Sequence, residues 1–335
     1  MSEVVRVAAL TGYLETMREF GVDPLRLLRE QGLSAAQLAD PEQLIPARAA
    51  NALLERSAQV TGCCTFGLRM ARDRSLANLG ATSLLIAHQP SLRAALGALA
   101  EFGARINSTL SITFEEAGEV AIVREDARVT GAGSMWQSTD LVLGVLMRLC
   151  SGVMGDGWSP LGVTFTHQPP PRSDLGDYVR LFRCRPQFDS AFNALVIARG
   201  DLDRPSRQAD AQLAGHARKL LEAVPAAHGR SIAEDTDAAV RLLLPTGHAT
   251  VQGCARAMGL TVRTLQRRLD AEGESFTAVL NRARAQLALQ YIANPRLRIT
   301  DVADMLGYSS LAAFTRWHGE TFGKSPRAAR KASGG

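Results

Sequence analysis

The stretch that decides the fold is DMLGYSSLAAFTRWHGETFGKSP, at Asp304–Pro326. Its helical pattern stops at Gly307, and a second helical pattern begins directly after Ser309 and Ser310. Glycine readily takes the left-handed conformation that ends a helix, and serine caps the start of the next one. The stretch therefore predicts two short helices that meet at a steep angle.

The same pattern occurs earlier in the chain, in CARAMGLTVRTLQRRL at Cys254–Leu269. Aligned on the glycines, the stretches match as follows: Ala255 with Ala303, Gly259 with Gly307, Leu260 with Tyr308, Leu265 with Phe314, and Arg267 with Arg316. The alanines allow two helices to cross closely, and Thr261 takes the capping role of the serines. The chain thus predicts two helix-turn-helix units, each with a second helix able to enter a DNA major groove.

Each second helix has one outward face. In the first unit the outward residues are Arg263, Gln266, Arg267 and Asp270, and the inward ones are Leu265 and Leu269. In the second unit the outward residues are Ala312, Thr315, Arg316 and Gly319, and the inward ones are Leu311, Phe314 and His318. Arginine and glutamine pair with guanine and adenine edges, and alanine and threonine can contact a thymine methyl. An ordinary bundle with solvated arginines would explain one unit, but two matching units favour DNA reading.

The positive charge of the chain is confined to its last third. Residues 231–335 carry 14 Lys and Arg against 9 Asp and Glu, whereas residues 1–230 carry 24 of each. A basic segment behind a neutral one indicates a polyanionic partner for that segment alone.

Two further helices complete this part of the chain. A helix over about Ser275–Tyr291 would separate the two units by about 25 Å, and successive major grooves on one face of DNA lie about 34 Å apart. Ser325 is expected to cap a last helix that begins at Pro326. Around it, the expected phosphate contacts are Lys324, Arg327, Arg330 and Lys331.

The segment Ser231–Lys331 resembles the double helix-turn-helix domain of AraC-type bacterial transcription regulators. The resemblance rests on the spacing Gly259…Leu265-x-Arg267…Gly273, then Arg284…Ala288, then Gly307-Tyr308…Phe314-x-Arg316…Gly323-x-Ser325-Pro326. It implies base contacts from Arg263, Gln266, Arg267, Ala312, Thr315 and Arg316, and we expect further DNA contacts from Thr261, Ser309, Ser310 and Lys324.

The chain departs from this family pattern at two places. It has His318-Gly319 where family members commonly carry Phe-Lys, and Ala329 where an aromatic is common. The missing lysine removes one phosphate contact. His318 is expected to pack in the core with its polar edge satisfied.

The N-terminal part is predicted to be helix-rich α+β, which makes the chain mostly α. Helical patterns fill residues 1–110, including a helix that Asp23 caps, Pro24 begins and Gly32 follows. A β-hairpin turning at Ala117–Gly118 starts a small antiparallel sheet. A long helix is expected at about Ser134–Val153, then strands at residues 161–167 and 194–205 and helices at residues 175–183 and 210–224. A linker at Pro225–Ser231 sets the predicted domains at 1–228 and 229–335, the second all-α.

The N-terminal part also resembles, more weakly, the arabinose-binding-like effector domain of one branch of the same family. The marks are GVDPLRLLREQGL at Gly21–Leu33, VTGCCTFGLRMA at Val60–Ala71 and LGATSLLIAHQPSLRAAL at Leu79–Leu96. The resemblance implies binding of a small-molecule effector of unknown identity and formation of a homodimer. Trp136 and Trp158 are candidates to line its pocket, although a core position suits them better.

Catalytic and metal-binding patterns are absent from the sequence. There is no GxSxG, phosphate-binding glycine loop or HExxH, and the histidines lack ligand spacing, so no catalytic residue, metal or cofactor is predicted. Glu115 and Glu116 are expected to be solvated. Five cysteines without CxxC spacing exclude a disulfide framework. Two alternatives stay open: an enzyme-like N-terminal domain with a DNA-binding tail, and a thiol-redox regulator that uses Cys63 and Cys64.

No targeting segment is recognisable in the sequence. Glu3 and Arg6 interrupt the N-terminus, and the apolar run Leu141–Met147 is too short to cross a bilayer. We therefore expect a cytoplasmic regulator that activates transcription in response to a ligand. Its expected partners are double-stranded DNA and, for an activator, RNA polymerase.

Overall fold

The computed structural model describes residues 3–72, 74, 81–103, 107–127, 129, 131–155, 157–223, 231–258, 260–294 and 297–333. The chain forms two compact units, Met1–Gly229 and Arg230–Gly335. Most of the predicted linker Pro225–Ser231 lies outside the described residues, so the boundary between residues 228 and 229 stays a prediction.

The first unit is rich in helices, as predicted. Its helices are α1 (Tyr13–Glu19), α2 (Pro24–Glu30), α3 (Ala35–Leu38), α4 (Ala47–Thr61), α5 (Phe66–Arg72), α6 (Ala81–Ala87), α7 (Leu92–Phe102), α8 (Trp136–Met154), α9 (Leu175–Phe182) and α10 (Ala211–Ala223). The start of α2 is confirmed, because the Asp23 side chain accepts a hydrogen bond from the Leu25 N–H at 3.0 Å.

The strands of the first unit form two sheets. The strands are β1 (Val4–Arg6), β2 (Leu44–Pro46), β3 (Leu110–Ala117), β4 (Val120–Ala127), β5 (Gly162–Thr164), β6 (Pro186–Gln187) and β7 (Asn193–Ala198). β1 and β2 form an antiparallel pair, and the other five follow the order β3-β4-β7-β5-β6. The fold class is confirmed, and so is the hairpin, with Gly118 at φ 63° in its turn. The larger sheet is antiparallel except for the parallel pair β5–β6.

Helix α8 lies between the two apolar cores of this unit. Its Leu141 packs into the core around α1, α2 and α4, whereas Leu143 and Leu146 pack into the core that covers the larger sheet. Helix α5 approaches α8 closely enough to require glycine. A Cβ at Gly67 would lie 2.1 Å from the Gln137 carbonyl oxygen, and one at Gly144 would lie 2.5 Å from the Ala71 Cβ.

The second unit is helical from Ser231 onward in its described part, as predicted. Its helices are α11 (Ile232–Leu243), α12 (Val251–Ala257), α13 (Val262–Ala271), α14 (Phe276–Ala293), α15 (Ile299–Met305), α16 (Leu311–Phe322) and α17 (Pro326–Ser333). Helix α14 supplies the centre of the core, with Val279, Ala283 and Ala288 fully buried. Ser275 caps α14, and Ser325 caps α17, where Pro326 is the first helical residue.

A single carboxylate ties α11 to the first helix-turn-helix unit. Glu272, which directly follows α13, accepts hydrogen bonds from the Ile232 N–H at 2.9 Å and the Ala233 N–H at 3.1 Å. These donors belong to the otherwise unpaired start of α11 and hold the pKa of Glu272 below its ordinary value.

Candidate nucleic-acid interface

The second helix-turn-helix unit turns at a left-handed glycine. Gly307 has φ 74°, its N–H donates to the Asp304 carbonyl, and the Tyr308 N–H donates to the Ala303 carbonyl at 3.0 Å. This pair of bonds is the Schellman termination of a helix. The Ser310 side chain then accepts from the Ala313 N–H at 3.2 Å and starts α16. The predicted turn is confirmed.

The first helix-turn-helix unit is built by the same bonds. The Leu260 N–H donates to the Ala255 carbonyl at 2.8 Å, which is the counterpart of the bond from Tyr308 to Ala303. The Thr261 side chain accepts from the Thr264 N–H at 3.1 Å and starts α13. Gly259 lies outside the described residues. The alanines at the crossing are both buried, with Ala255 2% and Ala303 1% exposed.

The outward faces of α13 and α16 carry the predicted base readers. The residues predicted to contact DNA are all exposed: Thr261, Arg263, Gln266, Arg267, Ser309, Ser310, Ala312, Thr315, Arg316 and Lys324. Behind them, Leu265, Leu269 and Phe314 are fully buried. The Thr315 hydroxyl donates to the Leu311 carbonyl at 2.8 Å. That bond occupies the hydroxyl proton, so an incoming base would meet the methyl group and the oxygen lone pairs of Thr315.

One inward assignment is wrong. The helical spacing predicts Leu311 in the core with Phe314 and His318, but its side chain is 38% exposed. It is the first residue of α16, where no preceding helical turn lies beneath the side chain. An exposed leucine at this end of the recognition helix adds an apolar contact surface next to Ala312.

His318 is fully buried, but only one side of its ring is paired. Its Nδ1 donates to the Lys324 carbonyl at 2.6 Å, whereas Nε2 has no protein partner among the described residues. The ring packs against Phe314, Trp317 and Phe322. The predicted core position is confirmed, and the predicted satisfaction of the polar edge holds for Nδ1 alone.

Arg284 on α14 braces the second turn. Its Nε donates to the Leu306 carbonyl at 3.0 Å, and its guanidinium lies 5.1 Å from the centre of the Tyr308 ring. The side chain thereby satisfies one of the carbonyls left open at the end of α15 and fixes the turn that aims α16.

A second arginine, Arg330, makes a similar structural bond, and its predicted phosphate contact stays a prediction. It is half-buried, and its Nε donates to the Ile292 carbonyl at the end of α14 at 3.0 Å. Lys324, Arg327 and Lys331 are exposed around α17, and their predicted phosphate contacts stay predictions.

Comparison with known families agrees with this geometry. The family model described as the arabinose-binding domain of the AraC transcription regulator, N-terminal, matches residues 21–206, more than half of the chain. The chain belongs to the AraC family of transcription regulators. A helix-turn-helix domain model matches residues 254–332 of this AraC-family regulator. It thus has an N-terminal effector-binding domain and a helix-turn-helix DNA-binding domain.

Two individual relatives of the AraC-family regulator match it over almost its whole length. It is 28% identical over 339 residues to the HTH-type transcriptional regulator VirS of Mycobacterium tuberculosis, covering 100% of this chain and 98% of VirS. It is 23% identical over 339 residues to the ornithine utilization regulator of Pseudomonas aeruginosa, covering 99% and 97%. A shorter match, 34% over 82 residues and 24% of each chain, is with the transcriptional activator NphR of a Rhodococcus species.

The N-terminal unit of the AraC-family regulator contains a polar cluster that the sequence did not predict. The Asp140 carboxylate is fully buried and accepts from the Tyr178 hydroxyl at 2.6 Å. His167 lies with Nε2 3.1 Å from Asp140 and Nδ1 2.8 Å from the Gln168 carbonyl, and its ring stacks on Trp136. Both ring nitrogens of His167 therefore already have partners. Burial raises the pKa of Asp140. These residues are distant in sequence, so no local motif could have indicated the cluster.

The two adjacent cysteines are both partly enclosed. The Cys64 thiol donates to Asp174 at 2.9 Å, and the Cys63 sulfur lies 3.6 Å from the Thr65 hydroxyl oxygen. Burial, together with the bond to Asp174, raises the pKa of Cys64 to about 12. Since the thiolate is the reactive form, this environment works against a redox role for Cys64.

The remaining candidates of this unit have structural roles. Trp158 is buried and its indole N–H donates to Asp201 at 2.8 Å, which confirms a core position. Glu115 is expected to be solvated, but its carboxylate is mostly enclosed and pairs with Arg124 at 2.7 Å.

In the described ranges, no group of three or more His, Cys, Asp or Glu is placed to hold a metal ion. Within the same ranges, no helix has the length and apolar character needed to span a membrane.

Proposed function

We propose that this AraC-family regulator reads two adjacent major-groove segments of double-stranded DNA, one with α13 and one with α16. The observation that carries the proposal is the repeated construction of the two units. Each has a buried alanine at the crossing, a side-chain cap at the start of the second helix, and an exposed face that carries an arginine. The base readers would be Arg263, Gln266 and Arg267 in one unit and Ala312, Thr315 and Arg316 in the other.

The connecting helix supports simultaneous reading. Helix α14 spans Phe276–Ala293, 18 residues, or about 27 Å at 1.5 Å per residue. The two units attach at its ends, through α13 before it and α15 after it. Consecutive turns of DNA on one face are about 34 Å apart. A rigid helix of this length favours one fixed spacing between the two readers over a variable one.

The N-terminal unit is proposed to be a binding domain and not an enzyme. Its His167 is the residue best placed for acid–base chemistry, but Asp140 and the Gln168 carbonyl already engage both ring nitrogens. A general base needs a nitrogen within reach of a substrate proton. We propose that an effector bound here alters DNA binding, and that the unit also forms the homodimer.

We further propose that the regulator activates transcription, and therefore contacts RNA polymerase. The support is the relative NphR, which is described as a transcriptional activator. Either direction of regulation is compatible with the same recognition helices, because the direction depends on where the operator lies relative to the polymerase.

The DNA-reading proposal is tested by measuring how well the protein distinguishes its site from other sequences. A site is first selected from randomised duplexes with the full chain. Affinities for that site and for a scrambled duplex are then measured by fluorescence anisotropy at fixed salt, because phosphate contacts make both affinities depend on salt. Arg267→Ala should lower the affinity for the selected site by about 1–3 kcal/mol and reduce the ratio of the two affinities.

Arg282→Ala is the matched control. Arg282 is an exposed arginine on α14, the helix that connects the two helix-turn-helix units, and it pairs with Glu274 at 2.9 Å. Its loss removes the same charge without touching a recognition helix, so the affinity ratio should stay at the wild-type value. If Arg267→Ala and Arg316→Ala both keep the wild-type ratio, α13 and α16 do not read bases and the proposal fails.

A further inference from the structure

The N-terminal unit contains a partly open cavity of about 100 Å³ with almost entirely apolar walls. It lies where α7, β3 and α8 meet the residues that follow β1. Its apolar lining includes Leu99, Ile112, Leu141, Leu146 and Leu149, all of them buried. Two polar side chains, Arg74 and Asn107, also line it.

Arg74 carries a buried positive charge that no described carboxylate matches. Its side chain is 7% exposed, and no carboxylate of the described residues pairs with it. Within the described part of the chain, its guanidinium bonds through Nη2, which donates to the carbonyls of Ala9 and Thr11. Nε is enclosed without a partner among the described residues. The N–H groups of Nε and Nη1 are therefore available to an anion.

The position of Arg74 is fixed before any ligand arrives. Its backbone N–H donates to the Ala71 carbonyl at 3.2 Å, and its carbonyl accepts from the Arg148 Nε at 3.2 Å. Burial lowers the pKa of Arg74 to about 10, so the guanidinium still carries its charge at neutral pH. An uncompensated charge in an apolar setting is strongly unfavourable, and a carboxylate is the partner that suits a guanidinium best.

Asn107 adds a second donor with a known orientation. Its Oδ1 accepts from the N–H and the hydroxyl of Thr109, at 2.9 and 2.7 Å. The side-chain amide must therefore present Nδ2, a donor, as its other end. Both polar side chains of the cavity can act as donors, which favours a ligand with an anionic end over one with an ammonium end.

We infer that this cavity binds a short-chain monocarboxylate, with the carboxylate on Arg74 and the hydrocarbon chain among the leucines. An apolar cavity of about 150 Å³ accepts a benzene ring, so the present volume suits roughly four apolar carbons, as in pentanoate. The inference rests on the proposed function only in naming this ligand as the effector.

The test uses the full chain and pentanoate at pH 7.5, with binding measured by isothermal titration calorimetry. Pentan-1-ol has the same hydrocarbon chain without the charge, and acetate has the charge with almost no chain. Pentanoate should bind at least about tenfold more tightly than either, because the pairing of charges and the apolar burial both contribute. Equal binding of acetate and pentanoate, or no detectable binding of pentanoate, would overturn the inference.

Two variants and a control locate the site. Arg74→Met should weaken pentanoate binding at least about tenfold, whereas Arg72→Met, an exposed arginine on α5, should leave it unchanged. Val145→Phe fills the cavity and keeps Arg74, so it should also abolish binding. Unchanged circular dichroism spectra confirm that each variant is folded. Pentanoate binding that survives both Arg74→Met and Val145→Phe would place the ligand elsewhere and refute the inference.

The same samples separate this inference from the proposed function. DNA affinity of the wild type is measured without pentanoate and tests α13 and α16 alone. If the DNA-reading proposal fails while pentanoate binds through Arg74, the cavity is still a binding site for pentanoate. Only the statement that this ligand is the effector is then refuted. If pentanoate fails to bind while the DNA affinity ratio behaves as expected, the cavity assignment is refuted and the DNA proposal stands.

Discussion

Replacing Glu125 by glutamine should change how the stability of the N-terminal unit depends on pH. Glu125 lies on β4, between Ile112 of β3 and Asn193 of β7, and is 4% exposed. Its Oε2 accepts from the Asn193 Nδ2 at 2.9 Å, and its Oε1 has no partner in the described part of the chain. Burial, and then the negative charge of Asp126, raises the pKa of Glu125 to about 8.

The size of the effect follows from the two pKa values. The folded state holds a proton on Glu125 up to pH of about 8, whereas the unfolded chain loses it near 4.5. The contribution to stability is therefore complete below the unfolded pKa and is lost as pH rises toward the folded one. Each pH unit inside this window corresponds to about 1.4 kcal/mol, so the wild type should lose about 2.5 kcal/mol between pH 5.5 and 7.5 through this residue. Glutamine, which is never charged, removes that loss.

The assay must report on the N-terminal unit alone. Trp136 and Trp158 lie in this unit and Trp317 in the other, so both proteins carry Trp317→Phe and urea unfolding is followed by tryptophan fluorescence. The contributions of Asp140 and Glu55, whose pKa values burial also raises, are common to both proteins and cancel in the difference. If the two proteins lose stability in parallel, within about 0.5 kcal/mol over this range, Glu125 is not protonated in the folded state.

Two other predictions concern the turn and the thiols. Gly307→Ala should destabilise the unit Arg230–Gly335 by about 1–2 kcal/mol. The reason is that φ 74° is unfavourable for alanine and that the new Cβ would lie 3.3 Å from the Arg284 Nη2. Gly319→Ala, in open space within α16, should instead stabilise that unit by up to about 1 kcal/mol in urea unfolding, followed by Trp317 fluorescence in proteins that carry Trp136→Phe and Trp158→Phe. A Gly307→Ala protein at least as stable as the Gly319→Ala protein would contradict the predicted cost of alanine at φ 74°. For Cys64, the rate of iodoacetamide labelling, measured by peptide mass spectrometry, should still rise about tenfold per pH unit from pH 8 to 10. A plateau near pH 9 would show an ordinary thiol and reopen the redox alternative.

Local patterns predicted the elements that local chemistry determines. The glycine and serine around Gly307 and Ser310 gave the turn, Asp23 and Pro24 gave the start of α2, and the alternation around Gly118 gave the hairpin. In each case the deciding bonds join residues close in sequence, so the pattern and the structure share one cause.

Contacts between distant residues could not be predicted in this way. The parallel pair β5–β6, the brace from Arg284 to Leu306 and the Asp140–His167 pair each join separate segments. For Arg330, the bond to the Ile292 carbonyl could not be predicted, because an arginine near a basic helix has the same local pattern with or without that bond. Leu311 was placed in the core because spacing gives the face of a helix but not where the covering core ends.

The position of β7 has a consequence for how the N-terminal unit is assembled during synthesis. β7 is the last strand of the larger sheet to emerge, yet it lies in the middle, between β4 and β5. Until Asn193–Ala198 is available, the inner edges of β4 and β5 stay unpaired and offer their backbone groups to other chains. Fragments cut before Asn193 should therefore associate and precipitate, and a nascent chain that stalls there is a substrate for chaperones.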